Sequence, residues 1–133
     1  MAARPVTVRI GATYPSYATQ LVVGHHHTVA DEPVDLGGGD TGPAPDEILL
    51  SALGACTAIT LRMYAERKQW PLEGVEVKLG YAERGKDKTV ITRQVELRGK
   101  LDSGQRERLL QIANACPVHK ILTGPVEIPT TLV

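Results

Sequence analysis

The chain has 133 residues, 42% of them hydrophobic, which suits one globular domain over residues 1–133. Fifteen basic residues balance fifteen acidic ones with no basic stripe, which disfavours nucleic acid as a partner. No apolar run approaches the ~20 residues of a membrane helix, and Met1-Ala2-Ala3-Arg4-Pro5 lacks an apolar signal core; with two cysteines too few to staple a secreted scaffold, the expected setting is the cytoplasm and no membrane.

In chain order, Val6, Val8 and Ile10 alternate with Thr7 and Arg9, as in a half-buried strand. Tyr14-Pro15-Ser16 reads as a turn. Gln20–Val23 and His26–Ala30 form a hairpin around Gly24, and Asp35–Ala44 is a loop centred on Gly37-Gly38-Gly39-Asp40. A long helix follows over Pro45–Lys68. Pro45 suits a first helical position, while Asp46 and Glu47 suit the positive end of the dipole. From Ile48 to Tyr64 this segment is apolar nearly all round and reads as the core helix, ended by Trp70-Pro71. Val75, Val77, Leu79 and Tyr81 mark a strand, and Arg84-Gly85-Lys86-Asp87 turns it. Ile91, Val95 and Leu97 share one face of the next strand with Arg93, an odd residue for a core face. Asp102 or Ser103 caps a second helix with Leu109, Leu110, Ile112 and Ala113 facing inward. Cys116-Pro117 breaks it; a short helical turn over Pro117–Leu122 and a strand near Val126–Ile128 complete the chain. The order implies an α+β fold with a mainly antiparallel sheet.

The two cysteines carry the chemistry to be weighed. Cys116 precedes Pro117 and sits at the N-cap of a short helix, where free amides and the dipole lower a thiol pKa; His119 is three residues on. The alternative is a plain helix stop with Cys116 packed as a small hydrophobe. Cys56 lies mid-helix among Leu53, Ile59 and Thr60, which raise its pKa, so activation requires a cation from elsewhere, and read by itself it is a packed core residue rather than a catalyst. Arg62 points to another side of the helix, and Arg93 is a candidate. Asp46 and Glu47 precede Cys56 by roughly 14–15 Å along the axis, so neither reaches the Cys56 of its own chain. They either match the helix dipole or act from a second chain. His25-His26-His27 has too few companions for a metal site.

Gly42-Pro43-Ala44-Pro45-Asp46-Glu47-Ile48-Leu49-Leu50 leading to Leu53-Gly54-Ala55-Cys56, joined to Cys116-Pro117-Val118-His119-Lys120, resembles the OsmC/Ohr family, the osmotically induced protein C and organic hydroperoxide resistance proteins. Thr60-Leu61-Arg62-Met63-Tyr64 is most similar to the small OsmC-like branch, and the 60-residue separation of the cysteines fits. The resemblance implies an intertwined homodimer, antiparallel sheets wrapped around long central helices, with active sites at the interface. It implies a thiol-dependent peroxidase in which Cys56 attacks an organic hydroperoxide and becomes a sulfenic acid. Cys116 then resolves it as a disulfide, and a dithiol reductant such as a lipoyl protein restores both thiols. The family's carboxylate maps to Asp46 or Glu47; no metal, flavin or haem is implied. The segment from Ile10 to Gly42 departs from the family pattern, since it has neither Arg nor Lys where an arginine stabilises the thiolate. His25, His26, His27, Arg62 and Arg93 are the substitutes. Two other readings remain: a non-catalytic dimeric module that binds an apolar or acyl molecule with unreactive cysteines, and a redox sensor.

Overall fold

A computed structural model describes residues 3–12 and 17–133. The described residues up to Leu49 form one compact unit and Leu50–Val133 another. The turn expected at Tyr14-Pro15-Ser16 lies outside the described residues.

The first unit holds a three-stranded antiparallel sheet in the order β1 (Thr7–Arg9), β2 (Thr19–Val23), β3 (His26–Ala30). The β2–β3 hairpin turns through Gly24 and His25, and Gly24 takes the left-handed φ of 57° that such a tight turn requires. β1 is a strand as expected, but it is not half-buried: it is an edge strand, and Val8 on it is 56% exposed. The glycine-rich segment is closed on itself. Asp31 donates its amide to the Pro43 carbonyl (3.1 Å), and its carboxylate takes hydrogen bonds from the amides of Glu32, Gly39 and Thr41 and from the Thr41 hydroxyl (2.6 Å).

The helix α1 (Pro45–Lys68) has the bounds its end signals predict. Ala44 donates its amide to the Glu47 carboxylate (2.8 Å), so the first turn is capped from within. In the second unit β4 (Leu72–Arg84) and β5 (Thr89–Gly99) form a long antiparallel hairpin, α2 (Ser103–Ala113) follows, and α3 (Pro117–Thr123) is the last element. Asp102 is the N-cap of α2 and closes a capping box with Gln105. Leu61 and Tyr64 of α1 meet Leu109 and Ala113 of α2, with Trp70, Val75, Val95, Leu97, Leu101 and Ile112 packed around them. This is the α+β class, with antiparallel sheets.

Four expectations need correction. α1 buries only a stripe, Leu53, Thr57, Leu61, Tyr64 and Ala65, while Ile59 and Met63 are 58% and 61% exposed. It is also long and apolar enough to cross a membrane by length and composition, contrary to the reading that no run approaches that size; here its buried stripe makes it the core helix of an α+β unit. Leu110 does not face inward: at 100° per residue it turns away from the Leu109–Ala113 side and is 63% exposed. Val126–Ile128 is irregular, since no strand edge among the described residues pairs with it.

Candidate functional site

Cys56 and Cys116 come together inside the second unit. Both are free thiols, close enough that each shifts the ionisation of the other. Three elements place them. α1 carries Cys56 one position before the fully buried Thr57, so Cys56 is half-buried beside the buried stripe. α2 ends at Asn114, whose amide bonds back to the Gln111 and Ile112 carbonyls. The chain then bends at Cys116, the N-cap of α3, whose sulfur accepts from the His119 amide (3.5 Å), with Pro117 at the first helical position. Cys116 is fully buried.

The two thiols are electrostatically unlike. Burial pushes Cys56 up and the neighbouring Cys116 sulfur adds to this; the Val118 amide and the Thr60 hydroxyl offset only part. Burial acts on Cys116 in the same sense, but hydrogen bonds from the Cys56 thiol, the His119 and Val118 amides and the Thr57 hydroxyl outweigh it and hold Cys116 below the usual thiol range. Of the two, Cys116 is the thiol whose pKa is held lower, the direction that the local reading of the Cys116-Pro117 run expects. Access runs the other way, because only Cys56 keeps exposed surface.

Arg93 is half-buried on the inward face of β5, and its guanidinium donates to Thr57 Oγ1 (3.1 Å), to the Ala113 carbonyl (3.4 Å) and to Asn114 Oδ1 (2.8 Å). Arg62 is spent elsewhere, on the carbonyls of Leu72 (2.9 Å) and Glu73 (3.5 Å) at the start of β4. Of the proposed cation substitutes on this unit, Arg93 is the one that the fold brings to the cysteine segments. Beside it opens a cavity of about 480 Å³ lined by Leu53, Val90, Ile91, Leu122, Arg93 and His119. Asp46 accepts from the Glu47 amide (3.0 Å), so both carboxylates serve the first turn of α1 in the first unit. His25, His26 and His27 are exposed on the β2–β3 hairpin, and among the described residues no three His, Cys, Asp or Glu side chains converge as metal ligands. Thr57 and Asn114 were not singled out by sequence. A threonine directly after the cysteine in an apolar helix was the available signal for the first; the second carries none.

Solved structures share this fold at low identity. An OsmC-like protein from Mycoplasma pneumoniae superposes with a TM-score of 0.77 at 18% identity, over 92% of this chain and 89% of that one. An OsmC-like protein of unknown function from Vibrio cholerae gives 0.74 at 16%, over 92% and 95%. The organic hydroperoxide resistance protein OhrB of Bacillus subtilis gives 0.65 at 22%, over 92% of each. No curated protein sequence matches the chain. The family model described as OsmC-like protein matches residues 37–131, from the glycine-rich segment through both cysteines to the C-terminal tail, and the chain thus belongs to the OsmC-like family.

Proposed function

We propose that the protein is a thiol-dependent peroxidase that reduces organic hydroperoxides, with Cys56 as the peroxidatic and Cys116 as the resolving cysteine. The observation that carries this reading is the meeting of an accessible and a buried thiol 60 residues apart in sequence. A Cys116 thiolate hydrogen-bonded to Cys56 can take its proton, which leaves the nucleophilic thiolate at the exposed end. Cys56 sulfur attacks the peroxide, the O–O bond breaks, the alkoxide leaves and is protonated to an alcohol, and Cys56 becomes a sulfenic acid. Cys116 closes the disulfide and a dithiol, such as a lipoyl group on a protein, reopens it by exchange. Two free thiols suit a reducing compartment such as the cytoplasm. Among similar structures, the Bacillus subtilis protein is named for organic hydroperoxide resistance.

The working form in this reading is a homodimer. The exposed apolar side chains Leu49, Ile59 and Met63 on α1 support a second copy as their cover. Asp46 or Glu47 then acts from the partner's helix, consistent with the axial distance that separates each from its own Cys56. The apolar walls of the cavity beside Arg93 favour a second reading, a binding module for an apolar or acyl molecule with spectator thiols. Turnover of cumene hydroperoxide with dihydrolipoamide separates the two. Under the peroxidase reading Cys56→Ser loses turnover by on the order of a hundredfold or more, and Cys116→Ser accumulates sulfenic acid. Full activity in Cys56→Ser contradicts the mechanism.

A further inference from the structure

A guanidinium in a row with Ile91, Val95 and Leu97 is costly unless its donors are used. Those of Arg93 are used on two segments, and each carries a cysteine. Thr57 directly follows Cys56 on α1; Ala113 and Asn114 close α2 just before Cys116. One side chain from β5 therefore bridges the two segments that carry the thiols.

Thr57 links the cation to Cys116. Its hydroxyl is fully buried and donates to the Leu53 carbonyl (2.7 Å), while its oxygen accepts from Arg93. The same hydroxyl is among the groups that lower the Cys116 pKa. A hydroxyl has one proton to give, so the Leu53 carbonyl and the Cys116 sulfur compete for it. The carbonyl is the better acceptor against a neutral thiol, and the sulfur is the better one once it is a thiolate. Donation from Arg93 to the oxygen polarises the O–H bond and strengthens the bond to a charged acceptor. Of the groups that act on Cys116, Cys56 from α1 is the titratable side chain, while His119 and Val118 of α3 act through their amides.

We propose that Arg93 is a positioning residue for disulfide closure: through Thr57 it stabilises the Cys116 thiolate, and through Ala113 and Asn114 it holds that thiolate against Cys56. The inference rests on the peroxidase reading and adds which half-reaction the cation serves. In that half-reaction the Cys116 thiolate donates its electron pair to the sulfur of the Cys56 sulfenic acid. The S–S bond forms as the S–O bond breaks, and the departing hydroxide takes up one proton to become water. The sulfenic sulfur is reduced and Cys116 oxidised, with no further oxidant.

Two measurements test it. In Cys56→Ser, the ultraviolet absorbance of the Cys116 thiolate is titrated against pH, alone and combined with Arg93→Met, Arg93→Lys or Thr57→Val. Removing the cation or the hydroxyl raises the midpoint by about one pH unit, roughly a tenfold loss of thiolate at neutral pH. Arg93→Lys, which keeps the charge without the fork, falls between. Thr57→Val is nearly isosteric and keeps the test open where Arg93→Met disturbs folding; an unchanged midpoint in the folded variants overturns the role assigned to Arg93. In the second measurement, peroxide is mixed with the protein carrying both cysteines. Arg93→Met is expected to close its disulfide about tenfold more slowly, and dimedone then traps sulfenic acid that the unsubstituted protein does not accumulate. Equal closure rates overturn the Arg93 inference and leave the peroxidase reading standing. No sulfenic acid or disulfide in the unsubstituted protein overturns the peroxidase reading, and the thiolate titration then decides alone whether Arg93 acts on Cys116.

Discussion

Asp31 shows how a buried charge is made tolerable in a small sheet unit. Hydrogen bonding from the Thr41 side chain and from the amides of Glu32, Thr41 and Gly39 overcomes the opposing effect of burial, and its pKa falls from 3.8 to about 2. A carboxyl group lowered in this way stabilises the fold above its unfolded pKa, and that contribution is lost as pH falls from about 4 toward 2. The difference in Tm between the native protein and Asp31→Asn should therefore be widest above about pH 4 and should narrow toward pH 2; a constant difference would contradict the account. Arg93 is the residue-scale lesson about legibility. Its place on an apolar strand face could be read from the two-residue period, so its involvement was visible. Its partners were not, because Thr57 and Asn114 lie 36 and 21 residues away and only the folded packing brings them together.

At the scale of elements, α1 was legible to both ends because its signals are local: Pro45, two acids in the first turn and Trp70-Pro71 after the last. The β4–β5 hairpin was legible from alternation, but its irregular end was not. There the register shifts between Leu72 and Gly74 opposite Gly99, which takes a φ of 137°. A Cβ at Gly99 would overlap the Pro71 carbonyl. Gly99→Ala is expected to cost about 1–3 kcal/mol, read as a lower urea midpoint at unchanged slope. β1 and the Val126–Ile128 segment show the limit of periodicity. Alternation gives the tendency to extend, but whether a face is buried or a strand is paired depends on what lies beside it.

At the scale of the whole molecule, the family was legible because two separate motifs, Gly42–Leu50 with Cys56 and Cys116-Pro117-Val118-His119-Lys120, occur in the right order. How the apolar face of α1 is covered is not written in one chain. With Ile59 and Met63 more than half exposed, sedimentation should give a dimer of the 14.3 kDa chain, and Ile59→Glu should shift it toward monomer. A monomer at micromolar concentration would contradict the dimeric reading. The central claim is that the paired thiols are a working redox couple, and it is tested most directly by mixing reduced protein with one equivalent of cumene hydroperoxide and following thiol count and intact mass. The account predicts rapid loss of both thiols with a mass decrease of about 2 Da, as the two thiol hydrogens leave. Two thiols surviving for minutes at unchanged mass would contradict it.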